Sequence, residues 1–152
     1  ERVKTIHMAG LIHDIGKINV PAEILSKPGK LNAGEFALIK NHPETGFNIL
    51  NKVDFTPPIA QVVYQHHEKL DGSGYPRMIS GEEIILEARI ITVADVVEAM
   101  ASHRPYRPAL GIDRALAEIR AGRGVVYDPT VADVCIDLFV TGRFRFREED
   151  ED

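Results

Sequence analysis

A chain of 152 residues with 44% hydrophobic content has the length and the apolar material for one domain with its own core, and leaves no room for a second. Its net charge of −5 and pI near 5.7 argue against a nucleic-acid polymer as partner, which would call for a basic face. A single cysteine, Cys135, excludes an intramolecular disulfide and fits a reducing, cytoplasmic setting, where it reads as a small buried hydrophobe.

From Arg2 to Ile15 apolar residues recur at helical spacing, and Gly16 is a natural stop. That predicts a helix with His13 and Asp14 on its last turn. Neighbours on a helix diverge by about 100° around the axis, so the two would serve adjacent ions, with Asp14 able to bridge them. Residues 19–31 hold two prolines and a glycine and read as a loop around a short helix. Asn32 with Glu35 three positions on forms a capping box for a helix over 33–41, which would put His42 at its end. Pro43 suits the start of a further helix over about 44–53.

Pro57 and Pro58 open a helix over 59–69 with an apolar face of Ile59, Val62, Val63 and Tyr64, and His66 and His67 come near its end. The segment Asp71-Gly72-Ser73-Gly74-Tyr75-Pro76 is turn chemistry, with Gly72 and Gly74 free to take positive φ, so an exposed, specifically shaped loop is expected. A helix over 82–102 is apolar nearly all round after Ala88 and should be the central buried one. It carries Glu87, Arg89, Asp95 and Glu98 and so cannot be a membrane segment. Helices over 111–122 and 129–142 complete an all-α fold. The alternation in 143–147 is weak evidence for a strand, and the acidic run 148–152 reads as a solvated, disordered tail.

Four patches along these elements carry metal donors: His13-Asp14, His42, His66-His67 and Asp95. Four imidazoles and two carboxylates exceed what one tetrahedral ion takes, so the count favours two divalent ions. Asp95 is the most telling, because a carboxylate in an apolar helix is costly unless paired or metal-bound. Taken singly, each has an ordinary reading: a salt bridge for Asp95, surface histidines for His66 and His67, a helix-end histidine for His42. His7 lies about two turns, or ~10 Å, from Asp14 and reads as structural, not as a ligand, and His103 is likewise outside the donor set.

The ordered series of motifs decides between these readings. His13-Asp14-Ile15-Gly16-Lys17, Val20-Pro21, Lys27-Pro28-Gly29-Lys30-Leu31, His42-Pro43, Gly46, the stretch HHEKLDGSGYP at 66–76, Ala94-Asp95 and Arg104-Pro105-Tyr106-Arg107 together resemble the HD-GYP family, bacterial metal-dependent phosphodiesterases that linearise cyclic di-GMP. The resemblance covers nearly the whole chain, taken as an HD-GYP domain at 1–147. It implies a helical bundle of the HD type with a metal site between helices, and His13, Asp14, His42, His66, His67 and Asp95 as its ligands. Two ions are implied, or three, since family members with a third ion draw a Glu and a His from a preceding helix. This chain starts at Glu1 inside the run leading to the first motif, which reads as a longer protein with that helix truncated and a receiver or sensory domain upstream.

By the same resemblance, a hydroxide bridging the metals attacks phosphorus, Asp14 bridges the ions, and Lys17 touches a substrate phosphate. Arg104 and Arg107 suit the second phosphate of a cyclic dinucleotide, with Tyr106 between them to stack or pack. The product would be the linear dinucleotide pGpG and, after a second cut, GMP. Gly74, Tyr75 and Pro76 would dock proteins carrying a GGDEF cyclase domain. Mixed imidazole and carboxylate donors suit iron, manganese or zinc, and a multi-carboxylate site in a reducing cytosol favours iron or manganese. Two other readings stand beside this one: a cyclic di-GMP sensor or GGDEF-docking module that turns over poorly, and an HD-type hydrolase of another nucleotide.

Overall fold

The computed structural model describes residues 1–55, 57–102 and 110–146, and these form α1 (Arg2–Ile12), α2 (Ala22–Leu25), α3 (Ala33–Lys40), α4 (His42–Leu50), α5 (Ile59–Gln65), α6 (Leu86–Ala101), α7 (Ile112–Gly122) and α8 (Pro129–Val140). The all-α expectation holds: no strand occurs among the described residues, and 143–146 has none of the alternation's implied pairing. Instead Phe144 meets Phe139 edge-on and Phe146 meets it at a tilt, with ring centroids 5.2 and 5.6 Å apart. The acidic run 148–152 and the segment Arg104, Tyr106 and Arg107 lie outside the described residues.

Helix α6 is the spine, touching α1 and α5 on one side and α7 and α8 on the other. Two apolar cores share it. Ala9, Leu50, Ile59, Val62, Val63, Ile84, Ala88 and Ile91 make the first, between α1, α4, α5 and α6. Val93, Val97, Ala115, Ile119, Tyr127 and Ala132 make the second, between α6, α7 and α8. The expectation that α6 is the central helix holds, but its burial is incomplete, because Ala94 and, ahead of the apolar run, Leu86 are exposed. They border an apolar groove of about 450 Å³ between α6 and α8. Cys135 lies in that groove, half-buried instead of buried.

Polar staples fix how the helices meet. The Asn32–Glu35 capping box forms as expected, with Glu35 N–H donating to Asn32 at 2.9 Å and Asn32 N–H to Glu35 at 2.8 Å. Asp128 caps α8 through Thr130 and Val131 N–H at 2.9 and 3.1 Å and receives Arg89 Nη1 at 3.0 Å, which ties α8 to α6. Buried Gln65 donates to the Glu83 carbonyl at 3.2 Å and accepts from Ile85 N–H at 2.8 Å, locking the end of α5 to the start of α6. Each of these satisfies main-chain groups that a helix end leaves without a partner.

Several helix ends differ from the sequence reading, and each has a local cause. α1 stops at Ile12, and a 3-10 turn over Ile15–Asn19 follows, so His13 caps the helix and Asp14 is already outside it. Gly16 allows that turn: a Cβ there would overlap the His42 carbonyl and lie 2.7 Å from the Gly46 N–H, so only glycine lets the turn reach α4. His42 begins α4 instead of ending α3, with Asn41 as the single hinge residue. α5 ends at Gln65, which leaves His66 as its cap and His67 beyond it. α6 starts at Leu86, four residues later than expected, because Gly81–Glu83 form a 3-10 turn with its own Ser80–Glu83 capping box.

Candidate metal centre

Three of the histidines arrive by one device. His13 Nδ1 bonds the Gly10 carbonyl at 2.7 Å, His42 Nδ1 the Ile39 carbonyl at 2.7 Å, and His66 Nδ1 the Val63 carbonyl at 2.6 Å. Each carbonyl lies three residues back, in the last turn of α1, α3 or α5, where helix geometry leaves it without an intrahelical donor. A carbonyl can only accept, so each Nδ1 carries the proton and each neutral ring presents a bare Nε2. The three helix C-termini also bring the negative ends of their dipoles to one spot, a setting that favours a cation.

The bare nitrogens converge. His42 Nε2 and His66 Nε2 lie 3.1 Å apart. With both protons committed to Nδ1, neither can donate to the other, so two lone pairs face one another. A cation between them resolves that repulsion, and the donor set therefore fits a metal ion. The donor atoms fall into two overlapping groups, His42, His66 and His67 in one and His13, Asp14 and His66 in the other, all within 4.8 Å of one another inside each group. Asp14 spans them: Oδ1 lies 3.4 Å from His42 Nε2, and Oδ2 lies 3.6 Å from His13 Nε2. Asp95 Oδ1, on α6, is 3.6 Å from His13 Nε2. All six residues singled out as donors thus come to one place. His7 is exposed on α1 and outside both groups.

Electrostatics keeps three of the four rings in the neutral form that ligates a metal. Burial pushes His66 down to about 4 and lowers His42 as well, so both are neutral at physiological pH. Burial, then the neighbouring His66, lowers His67 in the same sense. His13 moves the other way, because the Asp95 carboxylate beside it favours the imidazolium. Burial works against ionisation of Asp95, but the contact with His13, whose protonated form the carboxylate favours, outweighs it and holds the carboxyl below its usual range. Lys17 Nζ donates to Asp14 Oδ2 at 2.6 Å, which puts an ammonium at the rim of the cluster.

The Gly-Tyr-Pro segment departs from the expected exposed loop. Gly74 is buried and Tyr75 and Pro76 are half-buried, while Asp71, Ser73, Arg77 and Met78 carry the exposure. Gly72 does take positive φ, at 80°, but Gly74 does not. Its glycine is required by contact: a Cβ would overlap the His67 carbonyl and lie 2.5 Å from Glu68 Cα and Lys69 N.

Four residues support the site through contacts that the sequence does not show, although Gly16 and Glu68 stand within its motifs. Thr92 donates to the His66 carbonyl at 2.8 Å and so ties that ligand candidate to α6. Gln65 and Gly16 act as described above. Glu68 is 1% exposed and accepts the Arg77 N–H at 2.8 Å. A buried carboxylate directly after two histidines is the one signal that could have pointed to Glu68.

A family described as "HD domain" matches residues 1–131. The cyclic di-GMP phosphodiesterase response regulator RpfG of Xanthomonas campestris is 43% identical over 150 residues, which covers 97% of this chain and 39% of that protein. A cyclic di-GMP phosphodiesterase of Thermotoga maritima is 41% identical over 156 residues, covering 99% of this chain and 42% of its own length. A 3'3'-cGAMP-specific phosphodiesterase 3 of Vibrio cholerae is 44% identical over 124 residues, 82% of this chain and 27% of that one. The chain therefore spans less than half the length of these relatives. Among solved structures, Bd1817, an HDG"Y"P protein from Bdellovibrio bacteriovorus, superposes with a TM-score of 0.71 at 17% identity, over 90% of this chain and 43% of that one. The fold is thus the one the resemblance implied. Among the described residues, no helix is long and apolar enough to cross a membrane.

Proposed function

The chain belongs to the HD domain family, and we propose that it is a metal-dependent phosphodiesterase that opens cyclic di-GMP to linear pGpG and onward to GMP. The observation that carries this reading is the pair of bare Nε2 atoms, His42 and His66, 3.1 Å apart beneath a carboxylate whose two oxygens face different histidines. His42, His66 and His67 would hold one ion and His13, Asp14 and Asp95 its neighbour, iron or manganese by donor chemistry. Two such ions supply Lewis acidity toward the phosphate oxygens and lower the pKa of bound water.

The chain's own groups do the rest. The Nδ1 hydrogen bonds keep His13, His42 and His66 in the ligating tautomer. Asp14 is placed to face both positions, and Lys17, 2.6 Å from it, supplies positive charge where a transferring phosphoryl group gains negative charge. Arg104 and Arg107, with Tyr106 between them, would take the second phosphate. Gly74, Tyr75 and Pro76 form the segment through which a GGDEF-domain protein would dock. The name of the Xanthomonas relative, a response regulator, supports a receiver or sensory domain upstream in a longer chain and a cytoplasmic place of work.

The names of the Vibrio relatives favour a second substrate of the same class, 3'3'-cGAMP. Incubating anaerobic protein with Mn(II) or Fe(II) and each cyclic dinucleotide, with products separated by chromatography, decides the matter. Linear product from cyclic di-GMP at the higher kcat/KM is the expected result. Binding of both nucleotides without a linear product would overturn the enzymatic reading in favour of a sensor.

A further inference from the structure

His67 differs from the other three histidines of the centre. His13, His42 and His66 each have Nδ1 tied to a main-chain carbonyl three residues back. Among the described residues no hydrogen bond reaches the His67 ring; its neighbours are rings. It meets His42 edge-on, with an interplanar angle of 85°, and His66 tilted at 46°. Only Tyr75 lies nearly parallel to it, with centroids 4.8 Å apart and planes 20° from each other.

A ligating imidazole needs its plane fixed, because a lone pair a few tens of degrees off the ion is a poor donor, and proteins usually fix it by a hydrogen bond to the other ring nitrogen. We infer that Tyr75 is a positioning residue of the metal centre: its stacked ring stands in for the missing hydrogen bond and sets the plane of the His67 imidazole. This rests on the metal-centre reading and gives the Gly-Tyr-Pro segment a task inside the domain, separate from docking.

The surroundings hold Tyr75 for that task. Its N–H donates to the His67 carbonyl at 3.1 Å, so the stacked residues are also joined through the main chain. Gly74 packs against the backbone of His67, Glu68 and Lys69 with no space for a side chain. Two residues on, the Arg77 N–H is gripped by buried Glu68 at 2.8 Å, and the Arg77 guanidinium lies 4.7 Å over the Tyr64 ring of α5. Lys40 Nζ, from the end of α3, sits 5.1 Å from the Tyr75 centroid. The half-buried ring is therefore clasped from α3, from the main chain before it and from Glu68 after it. A loop built only to meet a partner would have its tyrosine free.

The test is Mn(II) titration of metal-free protein followed by EPR, with Co(II) absorption spectra on the same variants and far-UV circular dichroism as the fold control. Wild type should take up two ions. Tyr75→Ala should bind one of them at least tenfold more weakly and change the Co(II) spectrum, and Tyr75→Phe, which keeps the ring, should restore both. Tyr75→Leu, which keeps apolar volume without a planar face, serves if the alanine variant unfolds, and it should show the same loss as alanine. Wild-type affinity and spectrum in Tyr75→Ala or Tyr75→Leu would overturn the inference alone. No Mn(II) uptake by wild type would overturn the metal-centre reading beneath it, so the two failures are distinguishable.

Discussion

The two halves of the molecule share α6 and differ in what they ask of it. On the α1, α4 and α5 side the helix closes an apolar core whose upper rim is a ring of buried or half-buried polar groups: His13, Asp14, His42, His66, His67 and, from α6 itself, Asp95. On the α7 and α8 side the core is apolar throughout and opens into the groove beside α8. The first half tolerates buried imidazoles because His13, His42 and His66 each have a main-chain carbonyl for the Nδ1 proton and His67 is stacked on Tyr75. The second needs only volume and hydrophobicity. Stability and chemistry are thereby separable along the chain, and substitutions should sort by half.

The largest effect is expected at the most deeply buried donor. His66 belongs to both groups of metal donors and is fully buried, so His66→Ala should take turnover of a cyclic dinucleotide below detection while circular dichroism keeps its helical signature. On the other side, Ile119 is 0% exposed in the second core. Ile119→Ala should lower stability by about 2–5 kcal/mol in denaturant melts and leave metal content and kcat of the folded fraction unchanged; a loss of metal would break the division between halves.

A smaller effect belongs to Lys17, whose ammonium pairs with Asp14 without being a donor to metal. Lys17→Ala should keep the ions and slow turnover roughly a hundred-fold, within the range seen when one group that stabilises transition-state charge is removed. The gentlest is a pH effect on metal-free protein. His66 has its pKa lowered from 6.5 to about 4 by burial, and His42 is lowered in the same sense. Between those values the unfolded chain binds more protons than the folded one, so stability is fully present above pH 6.5 and declines as pH falls toward 4. Urea midpoints across that range check the sign. Ile119→Ala should shift them all equally, whereas His66→Ala should flatten the slope.

Much of this was legible in the residues. Among the described residues the sequence reading placed the helices, with α3, α7 and α8 within two residues of their ends, but mislaid ends of α1, α4, α5 and α6, which are set by tertiary contacts. The α1 boundary moves to Ile12 so that the turn after it can lie against α4, which Gly16 permits. Of the six donors only Asp95 is conspicuous by itself, as a carboxylate in an apolar helix; the histidines and Asp14 are picked out by the ordered series of motifs around them. Gln65 and Thr92 are not, since an amide and a hydroxyl on a helix look ordinary until the carbonyls they serve are in place. Gly74 was read as a turn glycine from its neighbours, and only packing against His67, Glu68 and Lys69 reveals that contact, not φ, demands it. The stack of Tyr75 on His67 spans eight residues of irregular chain, where no period exists to read.

The measurement that bears most directly on the central claim is the number of ions bound per chain by wild type and by His66→Ala, counted by plasma mass spectrometry on protein loaded anaerobically with Fe(II) or Mn(II). The donor geometry predicts two for wild type and fewer than two for the variant. Equal counts in the two proteins would contradict it, because His66 would then lie outside whatever site holds the metal.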